Sequence, residues 1–117
     1  MTRRRLPQRR AATAFDFRHA DQPYRAHVGF FPEGTAAELF LDSSRPNSAL
    51  DALAADSSIL ISLLLQYGAS PAEIGHALRR GPDGSPASLI GAAVDQLQAL
   101  PSLWRGRLAR VAKVCFF

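Results

Sequence analysis

Ile59-Leu60-Ile61-Ser62-Leu63-Leu64-Leu65-Gln66-Tyr67-Gly68 closes an apolar segment that opens near Asn47-Ser48-Ala49-Leu50-Asp51. The first half of that segment carries one apolar stripe at helical spacing, Leu50, Leu53, Ala54 and Ser57, and the second half is apolar nearly all round. This pattern predicts a helix that leaves the surface and crosses a core, covered on every side. Ser48, with Asp51 three residues on, is a start signal, and Gly68 suits the left-handed position that stops a helix. On this reading Leu64 is a core residue, and Leu64→Asp is expected to unfold the domain. The run Ile59–Leu65 is far shorter than the ~20 residues of a membrane span, so no membrane association is expected.

Outward from this helix, three alternating runs precede it. Thr13–Arg18 places Phe15 and Phe17 on one side and Asp16 and Arg18 on the other; Tyr24–Phe31 and Thr35–Asp42 alternate in the same way. The turns are expected at His19–Pro23, at Pro32-Glu33-Gly34 and at Ser43-Ser44-Arg45-Pro46. After the helix, Ser70-Pro71-Ala72-Glu73 marks a short second helix ending near Leu78-Arg79-Arg80. Ser85-Pro86-Ala87-Ser88 repeats the device for a third, which Pro101 is expected to end. Strands first and helices after predict an α+β fold: a three-stranded antiparallel meander, a buried central helix, and two or three further helices on one face. The open sheet edges are a surface for homodimerisation by strand addition.

A chain of 117 residues holds one core. Residues 1–10 contain five arginines and residues 101–117 three arginines and a lysine, with no acid in either. The ends therefore carry +9 and the body −5 of the net +4. The divisions expected are a flexible Arg-rich arm (1–11), the α+β domain (12–100) and a basic amphipathic tail or helix (101–117). Arg3, Arg4, Arg5, Arg9, Arg10, Arg105, Arg107 and Arg110 are candidate phosphate contacts for a small nucleic-acid-binding protein. Arg79 and Arg80, just before the Ser85-Pro86 helix start, are candidates for holding an anion. The single Cys115 excludes an internal disulfide, and no apolar stretch follows the N-terminal arginines, so a cytoplasmic protein is expected. His19, His27 and His76 lack ligand spacing, no catalytic set is evident, and no metal or cofactor is expected. Ser62 is expected to bond back to the carbonyl one turn earlier. Trp104, Phe116 and Phe117 are expected to pack on the domain or to anchor it in another protein's groove.

Two stretches, Tyr24-Arg25-Ala26-His27-Val28-Gly29-Phe30-Phe31-Pro32-Glu33-Gly34-Thr35-Ala36-Ala37-Glu38-Leu39-Phe40-Leu41-Asp42 and Ile61-Ser62-Leu63-Leu64-Leu65-Gln66-Tyr67-Gly68-Ala69-Ser70-Pro71, resemble the TSCPD domain. That domain is the C-terminal module of vitamin B12-dependent ribonucleotide reductases and also occurs as a short stand-alone protein. The resemblance spans about residues 15–97, without the pentapeptide that names the domain. It rests on Gly29, Gly34, Glu38, Ser62, Gln66, Tyr67 and Gly68, to which it assigns structural roles. A chain with one cysteine would have the module without the reductase's thiol chemistry. The resemblance thus implies a non-catalytic interaction protein with a protein partner, such as a ribonucleotide reductase.

Overall fold

The computed structural model describes residues 2–42 and 48–111, the last eleven of these by their backbone alone. The strands are β1 (Ala12–His19), β2 (Gln22–Phe30) and β3 (Ala36–Asp42), in the order β1-β2-β3 with both pairings antiparallel. The helices are α1 (Ala49–Gln66), α2 (Pro71–Ala77) and α3 (Leu89–Val111). The meander followed by three helices is the α+β arrangement expected from the pattern.

The first hairpin is tighter than its composition suggests. His19 pairs with Gln22, which leaves a two-residue turn in which Ala20 and Asp21 both have positive φ (50° and 61°). Pro23 therefore lies within β2, opposite Arg18. It is tolerated because its missing N–H would face the β3 side, and pairing to β3 ends at Arg25–Asp42. In the second hairpin, Gly34 (φ 93°) follows a tight turn closed by its N–H to the Phe31 carbonyl at 2.8 Å.

Alternation sorts the sheet into two faces. Phe17, Tyr24, Ala26, Val28, Phe30 and Leu39 face the helices and form one core with Ala54, Ile61 and Leu65 of α1, Ile74 of α2, and Leu89, Ala93, Val94 and Leu97 of α3. The outer face carries Asp16 bound to Arg25 at 3.0 Å and His27 bound to Asp42 at 2.7 Å.

The ends of α1 follow the sequence signals. Ser48 Oγ accepts the Asp51 N–H at 3.0 Å. At the other end the Gly68 N–H bonds Leu65 O and the Ala69 N–H bonds Leu64 O, with Gly68 at φ 106°; this pair of bonds is the Schellman stop. The packing of α1 differs from expectation. Its buried stripe is Ala54, Ser58, Ile61, Ser62, Leu65 and Gln66, while Leu53, Leu60 and Leu64 are 65%, 61% and 46% exposed. The helix flanks the open edge of β3 and does not cross the core, so only one face needs cover.

Helix α2 carries the full capping box between Ser70 and Glu73. Two expectations about α3 are corrected. Ser85 is held by Asp83, whose Oδ1 accepts both its N–H (3.1 Å) and its hydroxyl (2.6 Å), and Pro86 forms a bridge with Arg80. The start of α3 is instead capped by Ser88, whose Oγ accepts the Gly91 N–H at 3.0 Å. Pro101 does not end the helix, which continues to Val111. Proline supplies a helical φ and removes one backbone bond; a helix anchored by Leu89, Ala93, Val94, Leu97 and Leu100 can continue past that loss. The Ser43–Pro46 turn and the terminal Cys115-Phe116-Phe117 lie outside the described residues, as do the side chains of Trp104, Arg105, Arg107 and Arg110.

Candidate functional site

The residues that carry the family resemblance gather at the joint between α1 and the second hairpin. The joint arises from backbone geometry. A two-residue first turn makes His19–Gln22 a hydrogen-bonded pair, and the alternation propagates through β2 so that Leu39 and Ala37 direct their N–H and C=O groups away from it. Among the described residues no strand receives these edge groups. Ser62 answers at Leu39, where its Oγ accepts the N–H at 2.9 Å and donates to the carbonyl at 3.1 Å. One turn later Gln66 donates from Nε2 to Ala37 O at 3.1 Å. Two polar side chains four residues apart on α1 thus cover the β3 edge. The bond expected from Ser62 to the preceding turn is made instead by Ser58, to Ala54 O at 2.7 Å; Ser62 has a stronger claim on it from the unpaired strand.

Gly29 and Glu38 face each other across β2 and β3. The Glu38 side chain lies flat over Gly29, so closely that a Cβ there would come 2.4 Å from Glu38 Oε1 and 2.7 Å from its Cγ. From this position Glu38 takes the Arg10 guanidinium at 2.8 Å, with both side chains largely buried.

The N-terminal segment lies along this joint. Arg3 Nε donates to Gln66 Oε1 at 2.6 Å, and the Arg4 N–H donates to Gln66 O at 2.8 Å. Arg4 grips Glu33 through both guanidinium nitrogens, Nη2 to Oε1 at 2.7 Å, and stacks over the Phe31 ring at 4.0 Å. The bond to Arg4 holds the Glu33 carboxyl far down, at about 2 against an ordinary 4.5. Arg5 and Arg9 are exposed. Between Arg4, Phe31, Glu33 and Thr35 on one side and Leu65, Tyr67 and Pro71 on the other runs an open groove of about 380 Å³. Within it, Tyr67, Glu33 and Thr35 are accessible.

The other candidates do not join this site. Arg80 is held by Asp95 through two bonds (2.7 and 2.9 Å) and by Gly84 O at 3.1 Å, which lowers the Asp95 carboxyl below its usual range. Arg79 is exposed beside it. The Ser85 N–H, which an anion would need, is bonded to Asp83, whose carboxyl is lowered by the Ser85 hydroxyl and N–H. His19 closes β1, His27 pairs with Asp42, and His76 is exposed in the last turn of α2. Among the described residues no three His, Cys, Asp or Glu side chains gather as a metal site. By length and composition α1 also suits a membrane span, although Ser58, Ser62 and Gln66 on its buried side all have partners within the fold.

The Arg10–Glu38 pair over Gly29 was not legible in the sequence, because nothing local links residue 10 to residue 38. The pairing of α1's polar side chains with β3 was hidden for the same reason. Comparison with known protein families, curated proteins and solved structures finds no match for this chain.

Proposed function

We propose that this chain is a non-catalytic, cytoplasmic interaction module of the kind the TSCPD resemblance implies, a partner or regulator of a ribonucleotide reductase or of another step in deoxyribonucleotide metabolism. The observation that carries this reading is the work done by the residues behind the resemblance. Ser62 and Gln66 hold the β3 edge, Gly68 ends α1, and Glu38 lies over Gly29 and holds Arg10, so the work of these residues is structural. Beside them runs a groove, lined in part by Gln66 and Gly68, whose accessible side chains include the aromatic Tyr67, a residue type enriched at protein contact surfaces. The test is titration of a purified vitamin B12-dependent reductase against the chain by calorimetry. Saturable binding weakened at least tenfold by Thr35→Arg, which fills the groove, is the expected result. The absence of binding, or indifference to Thr35→Arg, refutes this assignment.

A second reading, phosphate contact, draws on Arg5, Arg9 and Arg79, which stay exposed while Arg3, Arg4, Arg10 and Arg80 are engaged within the domain. It predicts DNA or RNA binding that weakens steeply with salt and is lost when Arg5 and Arg9 become Ala.

A further inference from the structure

The exposed side of α1 is patterned. Leu50, Leu53, Ser57, Leu60, Leu64 and Tyr67 follow one another at alternating steps of three and four residues, the spacing of the seam by which one helix packs against another. The five large side chains of this series are all well exposed, and together they uncover on the order of 500 Å² if a fully exposed side chain counts roughly 200 Å². A monomer's largest apolar patch is usually ~300–600 Å². The lower end of stable interfaces lies near ~600 Å² per partner, and these five side chains by themselves supply most of that.

We propose that this seam pairs with the same seam of a second copy, antiparallel, about a two-fold axis crossing α1 between Ser57 and Leu60. In that register the layers match without remainder: Leu50 meets Tyr67, Leu53 meets Leu64, and the small Ser57 meets the large Leu60. A two-fold interface must be self-complementary, and this register makes it so. Small against large at the centre brings the helices close, as ridges into grooves require. In a parallel pair Ser57 would face Ser57 and leave a gap, Asp56 would sit level with its own copy, and the helix dipoles would align unfavourably. Antiparallel pairing separates the two Asp56 carboxylates by about five residues, roughly 7 Å along the axis. The buried face of α1, with Ser62 and Gln66 on the β3 edge, stays within each copy. The seam shares Tyr67 with the groove tested by Thr35→Arg, but Thr35 itself lies off α1, and Leu53 and Leu60 do not line that groove.

Sedimentation of the full chain from 1 to 100 µM tests the pairing. The expected mass is twice 12.7 kDa, falling to one copy in Leu53→Asp and in Leu60→Asp, each with the circular dichroism of the parent. Ile59→Asp is the control: Ile59 is 52% exposed but lies off the seam, and its dimer should persist. Orientation is read with Cys115→Ser throughout: chains bearing Leu53→Cys and chains bearing Leu64→Cys are mixed and oxidised with diamide. The two thiols should join as a mixed disulfide, whereas Leu53→Cys alone should not cross-link to itself. A parent that is monomeric at 100 µM, a dimer that survives Leu60→Asp, self-linking of Leu53→Cys, or vesicle binding by a monomer through Leu60 would each overturn the proposal.

Discussion

Ser58 and Ser62 stand one turn apart on the same buried side of α1, and the same substitution should have very different consequences at the two sites. In Ser62→Ala, Leu39 loses the acceptor of its N–H and the donor to its carbonyl, at a residue with no solvent exposure. Each of the two orphaned groups costs ~1–3 kcal/mol, so a loss of about 2–6 kcal/mol is expected. In Ser58→Ala the freed carbonyl belongs to Ala54, which a helical N–H already satisfies, and alanine favours the helix by up to ~0.5 kcal/mol; the net change should stay near zero. Both variants remove one buried oxygen, so the cavity contribution cancels in the comparison. Urea unfolding followed by far-ultraviolet circular dichroism, at one protein concentration, resolves the difference. With m roughly 1.5 kcal/mol/M, the Ser62→Ala midpoint should fall about 1.3–4 M below that of Ser58→Ala. Midpoints equivalent to within ~0.5 kcal/mol would refute the claim that Ser62 covers the strand edge.

Three further expectations follow from the same joint. Gly29→Ala should displace Glu38 and part it from Arg10, at a cost of about 2–4 kcal/mol by urea unfolding, because a largely buried charge loses its partner; a loss under ~0.5 kcal/mol would mean that Glu38 is not held there. Glu33 is lowered by its bond to Arg4, so the tie it provides is complete above its ordinary pKa of 4.5 and is lost as pH falls through about 2. An NMR titration should show the Glu33 carboxyl and the Arg4 amide shifting together in that window, and a Glu33 that titrates at 4.5 independently of Arg4 would contradict it. Gly68→Ala, at φ 106° with open space around its Cβ, should cost about 1 kcal/mol of thermal stability from backbone strain alone; an unchanged melting temperature would show that the stop relaxes freely.

The elements themselves were legible. Period-two alternation located the strands, and Ser48, Ser70 and Gly68 marked helix ends, because capping is a contact between residues two to five apart. Leu64 illustrates what periodicity leaves open. A helix whose second half is apolar all round has no unique inward face, and cover on every side is then the natural expectation. The face that turned inward carries serines and a glutamine, the side a hydrophobic pattern would assign to solvent. The α3 start shows the same limit on a small scale: Ser85 and Ser88 both qualify as caps, and Asp83 decides between them by engaging Ser85.

The sequence by itself thus determined the order of strands and helices, the caps at the ends of α1, and the two opposed charge regions. Tertiary structure decided which face of α1 is buried, where the N-terminal arginines go, and why Glu38 faces a glycine. The physical reason is that each of these depends on a backbone or charged group 23 or more residues away along the chain: Leu39 for Ser62, Glu38 for Arg10, and Glu33 for Arg4. Such groups become partners only when the meander leaves its β3 edge unpaired and brings them into reach.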